Sequence, residues 1–394
     1  MKSKVAIIIE RADAALGGAE RSVFELTQAL AALEIDVHII AAKGPSESNN
    51  VHILCSNLPG KRTGCPVFGH AIKKHLRENH YDIIHSVLPF DFADIYQPRG
   101  GTYAESILRN AASYCSNLAG FWKRALAFAN LRRAALLRAE KKLCEMRDGP
   151  VIIAISRYVA EQFSRHYGVE AGRITIIPNG VMTSNGGDKE QAERLRTQIF
   201  TQLGTRQADN PILFLFAANN FRLKGLGCLI KAMERLSGNT PRPAFLIIAG
   251  SDKTARYRRL AAKLNVDKKV LFLGKVAHIA NLLAVADVAV LPTFYDPCSR
   301  FILEALDAGK PVITTRFNGA GELFTDYRHG RVIDRPDDLA ALAEALAYFT
   351  EPANVQKASR AIMEDNIKQQ ISISRAAERL KAVYDAIPAN RRRQ

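Results

Sequence analysis

Short, largely apolar runs alternate with amphipathic segments along nearly the whole chain. In the first half, residues 5–9, 37–41, 81–86 and 151–156 form such runs, and Ala19 to Leu33 places apolar residues at helical spacing. These runs have the length of strands and are too short for buried helices. Strands that alternate with helices in this way are typical of a parallel sheet covered on both faces. The pattern therefore predicts an α/β fold.

The same alternation of apolar runs and amphipathic segments begins again in the second half of the chain, after a polar stretch. A short strand from Ile174 ends in the turn sequence Pro178-Asn-Gly, and residues 183–210 are polar with helical patches. A chain of 394 residues is also long for a single core. Two domains of similar construction are therefore expected, with the boundary after residue 182. The apolar runs of the second domain are 212–217, 245–249, 270–273 and 287–291.

One stretch near the carboxyl end combines a strand, a turn and a helix. The strand ends at Leu291, the turn contains Pro292 and Pro297, and a helix is predicted from about Ser299 to Gly309. The amino end of a helix offers N–H groups and a positive dipole end, which together bind anions. This stretch is therefore a candidate anion site beyond a strand.

Two acidic residues belong to the same stretch. Asp296 lies in the turn, and Glu304 lies about one and a half turns into the helix, where it can reach a group beside a bound anion. The alternative is an ordinary strand–turn–helix whose acids are solvated. The proline-rich turn before the pair and the Ala-Gly-Lys-Pro-Val sequence after it favour a binding site.

A pair of cations follows the strand at 212–217. Arg222 and Lys224 lie in the loop before the next predicted helix. Parallel sheets bind ligands beyond the carboxyl ends of their strands, so these cations are expected to face the same cleft as the acidic pair. An arginine fork and a lysine point charge suit a pyrophosphate, and a solvated loop is the alternative.

A glycine turn follows the first strand. Gly17 and Gly18 allow a phosphate or sugar to approach the backbone closely, although a plain tight turn explains them equally well in isolation. The G-x-G-x-x-G spacing of dinucleotide-binding turns is missing.

Composition limits the class of protein. The chain is 47% hydrophobic and 24% charged, as globular proteins are. No apolar run reaches the roughly 18 residues that a membrane span requires. The six cysteines show no metal-ligand spacing and are expected to be reduced thiols. A net charge of +16 indicates an anionic partner: nucleic acid, a phospholipid surface or a phosphorylated substrate.

Residues 107–147 are predicted to be helical, basic and aromatic. They contain Phe121 and Trp122, the only tryptophan of the chain. Basic helices with aromatic residues are typical of interfacial membrane anchors. A long surface helix with a solvated basic face is the main alternative, and nucleic-acid binding is a third.

Taken together, the Asp296/Glu304 spacing with its flanks, the Arg222–Gly225 loop, the Gly17-Gly18 turn and Pro178-Asn-Gly-Val resemble the retaining glycosyltransferases of family 4. The resemblance implies a GT-B architecture, in which two Rossmann-like domains with parallel sheets face each other across a cleft. It implies an acceptor-binding domain at 1–182, a nucleotide-sugar-binding domain at 183–366, and a helical segment at 367–394 that crosses back to complete the first domain. The family carries two glutamates at the acidic positions, and this chain has the shorter Asp296 at the first.

The resemblance also implies roles for individual residues. The acidic pair would hold the donor, Asp296 at the sugar and Glu304 at the ribose hydroxyls, and Val276 would lie beside the nucleotide base. Asp94, Arg99 and Glu105 are candidate catalytic residues in a polar, aromatic segment near the expected anomeric carbon. No Asp-x-Asp motif occurs in the chain, and neither a metal nor a cofactor is expected. The full set of expected donor-binding residues is Gly17, Gly18, Arg222, Lys224, Val276, Asp296, Ser299, Arg300, Phe301 and Glu304.

The function implied by the resemblance is transfer of a hexose, with retention of anomeric configuration, from a nucleoside-diphosphate sugar such as UDP-glucose to a saccharide acceptor. Members that build the lipopolysaccharide core use a lipid-borne acceptor. A peripheral enzyme on the cytoplasmic face of the membrane is therefore expected, with its basic helices on an anionic surface. A GT-B enzyme with a soluble acceptor is the alternative. A basic nucleic-acid-binding protein without catalysis is a remote one, and no nucleic acid is expected as a partner.

Overall fold

The computed structural model describes residues 3–45, 48–58, 60, 62–114, 130–183, 188–236 and 240–388. Packing divides the chain into two compact units. The first contains residues 1–111, 116–182 and 372–394, and the second contains residues 112–115 and 183–371. The chain thus changes unit after Met182. It returns to the first unit at Ser372, not at residue 367 as the resemblance implied.

A parallel sheet of seven strands forms the centre of the first unit. The strands are β1 (Lys4–Arg11), β2 (Asp36–Lys43), β3 (Val51–Ile53), β4 (Ile83–Ser86), β5 (Ile95–Tyr96), β6 (Val151–Ala154) and β7 (Ile174–Ile176). Their order in the sheet is β3-β2-β1-β4-β5-β6-β7, and every pair is parallel. The described helices of this unit are α1 (Gly18–Ala32), α2 (Cys65–Glu78), α3 (Tyr103–Ala112), α4 (Leu131–Glu145), α5 (Arg157–Tyr167) and the last helix of the chain, α14 (Ile373–Ala386).

Helices cover both faces of this sheet because both faces of its central strands are apolar. On β1, Val5 and Ile7 pack with α1 and α14, whereas Ala6 and Ile8 pack with α2 and α4. Burial of one such aliphatic side chain stabilises the fold by about 1.5–3 kcal/mol. A strand buried on both faces reads as a continuous apolar run, and this explains why these strands were predictable from the sequence.

The second unit has a parallel sheet of six strands. The strands are β8 (Ile212–Ala217), β9 (Ala244–Ala249), β10 (Val270–Gly274), β11 (Val288–Leu291), β12 (Val312–Thr315) and β13 (Gly330–Ile333), in the order β10-β9-β8-β11-β12-β13. The helices are α6 (Lys189–Leu203), α7 (Leu226–Arg235), α8 (Ala255–Lys263), α9 (Ile279–Val285), α10 (Arg300–Asp307), α11 (Leu339–Tyr348), α12 (Pro352–Glu364) and α13 (Ile367–Gln370), with a short 3-10 helix at Gly319–Leu323. The α/β prediction with parallel sheets is confirmed in both units.

The two segments that enter and leave the second unit lie side by side. The Ile373 N–H donates to the Val181 carbonyl at 2.9 Å. At Gly180, a Cβ atom would lie 2.4 Å from the Ile373 Cα atom, so a side chain does not fit there. The Pro-Asn-Gly turn predicted from the sequence is therefore packed directly against the start of α14.

The basic segment at 107–147 is only partly described. Its ends belong to α3 and α4, which are helical as predicted. Trp122 and the rest of residues 115–129 lie outside the described residues. None of the described helices is both long enough and apolar enough to cross a membrane.

Candidate functional site

The carboxyl edge of the second sheet brings together the loops that follow β8 and β11. These strands are neighbours, and the chain continues from β8 toward one side of the sheet and from β11 toward the other. Such a switch in direction opens a crevice beyond the strand ends, where parallel α/β sheets bind their ligands. Loops 218–225 and 292–299 lie at this point of the sheet.

Gly225 allows these two loops to touch. Its φ of +79° lies in the left-handed region, and a Cβ atom would lie 1.9 Å from the Pro292 carbonyl oxygen. The Phe294 N–H also donates to the Leu223 carbonyl at 2.9 Å. Because only glycine fits at this contact, the two loops are held together as one structure.

Lys224 and Asp296 form a salt bridge across the two loops. The Lys224 Nζ donates to Asp296 Oδ2 at 2.7 Å and to the Tyr295 carbonyl at 2.8 Å. The two side chains are only 19% and 15% exposed, so solvent screens the pair less than it screens a surface ion pair. The predicted lysine and the first predicted acid are therefore in direct contact at the edge of the sheet.

The amino end of α10 supplies a second ion pair. The Arg300 Nη2 donates to Glu304 Oε1 at 3.1 Å, one helical turn away. Ser299 is the N-cap residue, but its hydroxyl makes no capping hydrogen bond. Ile302 and Leu303 are fully buried and fix the helix against the sheet. The site therefore combines two cation–carboxylate pairs with the positive end of a helix dipole.

Two other residues expected at the donor are outside the two ion pairs, although Arg222 lies in the same loop as Lys224. Arg222 stacks 3.8 Å above the Tyr114 ring and donates to the Ser113 hydroxyl; residues 112–115 pack with the second unit. Val276 follows β10, the strand at the edge of the sheet. The predicted donor residues that the structure places around the two ion pairs are Lys224, Asp296, Ser299, Arg300, Phe301 and Glu304.

A cavity lies at the carboxyl edge of the first sheet. It has a volume of about 220 Å³ and lies at the corresponding switch point, next to β1 and β4. Its polar lining includes Glu20, Arg99 and Ser106. Gly17 and Gly18 start α1 close by, and Glu20 is held by Arg11 at 3.0 Å. The first unit thus has its own candidate binding site.

The structure separates the three candidate catalytic residues. Arg99 lines the cavity, and its Nη1 donates to Asn179 Oδ1 at 2.6 Å. Asp94 precedes β5 at the amino edge of the sheet, where it accepts from the Ile84 N–H at 2.7 Å. Glu105 is 1% exposed and accepts from Arg109 and from two basic residues of α5, Arg165 and His166. Among the three, Arg99 alone lines the cavity.

Comparison with known proteins assigns both units. Residues 16–185 match the family described as Glycosyltransferase Family 4, and residues 201–370 match the family described as Glycosyl transferases group 1. Together the two matches span most of the chain. The chain belongs to glycosyltransferase family 4.

Individual relatives agree with this assignment. The glycosyltransferase is 25% identical over 278 residues to the lipopolysaccharide glucosyltransferase WaaG of Escherichia coli, covering 70% of each chain. It is 28% identical over 219 residues to glycogen synthase of Mycobacterium tuberculosis, and spans about half of that protein (49%). The crystal structure of WaaG superimposes with a TM-score of 0.76 and 21% identity over 97% of this chain and 100% of the other. The crystal structure of HepE of Anabaena in complex with UDP-glucose superimposes with a TM-score of 0.66 and 17% sequence identity. This superposition covers 98% of this chain and 100% of the HepE chain. The predicted GT-B fold, with two Rossmann-like domains, is confirmed.

A buried glutamate supports the cavity loop of the glycosyltransferase. Glu140 of α4 is fully buried and accepts hydrogen bonds from the Tyr96 hydroxyl at 2.8 Å, the Tyr167 hydroxyl at 2.6 Å and the Tyr103 N–H at 2.7 Å. Tyr103 is the first residue of α3, directly after the loop that carries Arg99. Burial raises the pKa of the Glu140 carboxyl to about 7, although these hydrogen bonds oppose the shift.

This carboxyl predicts a pH dependence of stability. Between its ordinary pKa of 4.5 and about 7, the folded state holds the proton and the unfolded state does not. The free energy of unfolding therefore falls as the pH rises through this window, by up to roughly 3 kcal/mol. We expect Glu140→Gln to remove this part of the slope in urea unfolding series between pH 5 and 7.5. Glu145→Gln, an exposed change on the same helix, should keep the wild-type slope, and an unchanged slope in Glu140→Gln would contradict the assignment.

Several contacts within the site were not expected from the sequence. The Arg300–Glu304 pair has the i, i+4 spacing of helical ion pairs and could have been found from that signal alone. The connection between Lys224 and Asp296 joins residues 72 positions apart, so no local signal marks it. Asn318, which contacts the start of α10, follows β12 and was not among the predicted site residues.

Proposed function

We propose that this enzyme transfers a hexose from a UDP-sugar such as UDP-glucose to a saccharide acceptor, with retention of anomeric configuration. The observation that carries the proposal is the paired arrangement at the second sheet: Lys224 with Asp296, and Arg300 with Glu304, around the amino end of α10. Two cations and a helix amino end suit a diphosphate, and carboxylates beside them suit sugar and ribose hydroxyls. The likeness to WaaG and to HepE, whose crystal structure contains UDP-glucose, supports a UDP-sugar.

In this proposal, donor binding loosens the Lys224–Asp296 ion pair and leaves Arg300 next to Glu304. Lys224 leaves part of its contact with Asp296 and binds a phosphate oxygen, while the Asp296 carboxylate accepts hydroxyl groups of the sugar. Glu304 accepts the ribose hydroxyls, and Arg300 stays beside it as a second positive charge. Because the carboxylates hold the cations in place beforehand, little reorganisation is needed when charge develops on the leaving diphosphate.

Retention is proposed to follow an internal return. The bond between the anomeric carbon and the diphosphate oxygen breaks, and the acceptor oxygen forms its bond on the same face of the sugar. The acceptor proton passes to the phosphate oxygen that has just left, so no protein base is required. Lys224 stabilises the negative charge on that diphosphate, and no metal is assigned a role.

The acceptor is proposed to bind the first domain, at the cavity lined by Arg99. A lipid-linked saccharide of the lipopolysaccharide core is favoured, because the relative WaaG is a lipopolysaccharide glucosyltransferase. The net charge of +16 and the basic segment at 107–147 support a peripheral position on the anionic inner face of the cytoplasmic membrane. A soluble glucan is the second candidate, on the basis of the glycogen synthase relative.

The donor assignment is tested first by ligand-induced thermal stabilisation. A ligand that binds the folded state raises the melting temperature by an amount that grows with the logarithm of its concentration relative to its Kd. We expect UDP-glucose to raise the melting temperature without added metal, and GDP- and ADP-sugars to raise it less. Absence of a shift from all three classes would contradict the proposal. A larger shift from GDP- or ADP-sugars would keep a glycosyltransferase but replace the donor.

A further inference from the structure

Asn318 lies at the centre of the donor site although it is not part of either ion pair. It follows β12 and is 2% exposed. Neighbouring positions of the same sheet edge carry other buried polar residues, Thr293, Thr314 and Thr315, all fully buried. Buried polar side chains lower stability unless they are hydrogen-bonded, so each of them needs a partner.

The side-chain amide of Asn318 is hydrogen-bonded at both ends. Its Oδ1 accepts from the Ser299 N–H and from the Ala320 N–H, both at 3.1 Å. Its Nδ2 donates to the Thr314 Oγ1 at 2.9 Å, and that hydroxyl donates to the Leu291 carbonyl at 2.9 Å. The Ser299 and Ala320 N–H groups can only donate, so the amide oxygen must face them. The Thr314 hydroxyl donates its hydrogen to Leu291, so it accepts from the amide nitrogen, and the Asn318 amide therefore has one orientation.

The backbone around Asn318 is bound to the backbone of Asp296. The Asp296 N–H donates to the Phe317 carbonyl at 2.8 Å, and the Gly319 N–H donates to the Asp296 carbonyl at 3.0 Å. The Asn318 turn thus contacts Asp296 through its backbone and the N-cap of α10, Ser299, through its side chain. A single residue fixes the spacing between the first acid and the helix amino end.

We propose that Asn318 is a positioning residue of the donor site, and that its uncharged amide sets the start of α10 where the donor diphosphate binds. The proposal rests on the donor assignment made above. An aspartate would have the same shape, but it would place a negative charge against the helix amino end that receives the diphosphate. Neutrality at this position is therefore as important as shape.

The variant Asn318→Asp separates these two properties. The carboxylate can still accept from the Ser299 and Ala320 N–H groups, and the Thr314 hydroxyl can turn to donate to it. A negative charge at a helix amino end is also favourable for the helix. The variant should fold, and its charge should oppose a diphosphate while leaving an uncharged nucleoside unaffected.

The test measures binding of UDP and of uridine by calorimetry, with wild-type protein, Asn318→Asp and the control Asn265→Asp. Asn265 is exposed and precedes β10 at the opposite, amino edge of the same sheet, so the control adds the same charge away from the site. We expect UDP to bind Asn318→Asp at least about tenfold more weakly, because like charges repel strongly in a partly desolvated site. Uridine binding should change less than about twofold, and the control should match wild type for both ligands.

The remaining outcomes distinguish the proposals. Equal losses of UDP and uridine would show that Asn318 only maintains the fold, and would overturn its role at the diphosphate. Unchanged UDP binding would overturn it as well. If wild-type protein bound no UDP, GDP or ADP, the donor assignment itself would be wrong. The proposed role of Asn318 would then be wrong as well, because it rests on that assignment. Should Asn318→Asp not fold, Asn318→Ser, which keeps a neutral acceptor, must retain UDP binding better than Asn318→Ala.

Discussion

Lys224→Ala is expected to lower the rate of sugar transfer by about two to three orders of magnitude, or roughly 3–4 kcal/mol in the transition state. The lysine is the cation that the structure places on the first acid, and the proposal assigns it to the leaving diphosphate. Its charge is therefore needed more in the transition state than in the bound donor, and kcat should fall more than KM rises. Donor hydrolysis or transfer kinetics measure this directly.

Removal of Lys224 also leaves Asp296 without its partner, and this loss must be separated from catalysis. The double variant Lys224→Ala with Asp296→Asn should recover the melting temperature, because no unpaired buried charge remains. It should not recover the rate. Lys357→Ala, an exposed lysine of α12, is the matched control and should behave as wild type. A rate that recovers together with stability would show that Lys224 acts only through folding.

Glu304→Gln is expected to weaken donor binding by roughly ten- to a hundredfold, as loss of hydrogen bonds to a charged group costs about 1.5–3 kcal/mol. The carboxylate can accept two ribose hydroxyls, whereas the amide offers one acceptor and a donor group. Arg300 also loses its charged partner at 3.1 Å. Thermal stabilisation by UDP-glucose should largely disappear in the variant.

A deoxynucleotide tests whether the loss concerns the ribose. Wild-type protein should bind 2′-deoxy-UDP more weakly than UDP, and Glu304→Gln should bind the two alike, because the carboxylate that distinguishes them is gone. Glu344→Gln, a 70% exposed glutamate in α11, serves as the control. If Glu304→Gln still preferred UDP by the wild-type factor, the ribose role would be wrong and Glu304 would serve only to hold Arg300.

Long buried strands of this fold were predictable, and short ones were not. β8 spans Ile212 to Ala217 as expected, because a strand covered on both faces is apolar throughout. β5 has only two residues, Ile95 and Tyr96, and is a strand because β4 and β6 pair with it on both sides. Such pairing depends on distant parts of the chain and leaves no local signal.

This short strand also explains the dispersal of the catalytic candidates. Asp94 and Arg99 are five positions apart in a segment that reads as one polar loop. β5 passes through the sheet between them, so Asp94 lies at the amino edge and Arg99 at the carboxyl edge. The role of either residue in catalysis stays a prediction, but the two cannot be placed in one site on the first sheet.

The acidic pair was predictable because its geometry is local. Asp296 and Glu304 belong to one strand–turn–helix, and helix periodicity fixes their separation. The partners of these acids and of the helix amino end come from other loops. Lys224 and Asn318 reach the pair only after the ends of β8 and β12 have been brought beside β11. Sequence spacing therefore predicts the two acids, whereas the residues that contact the site, Lys224 and Asn318, are brought there by the order of the strands in the sheet.

The adjoining chain crossings at Val181 and Ser372 make the second unit an insertion with neighbouring ends. The Ile373 N–H already bonds the Val181 carbonyl, so the break in the first unit spans no more than a single backbone hydrogen bond. A short glycine linker in place of residues 183–371 would close the first unit into a continuous chain with all seven strands and α14. Apart from residues 112–115, which pack with the second unit, the first unit is thus a separable module, and the second unit is inserted into it after Met182.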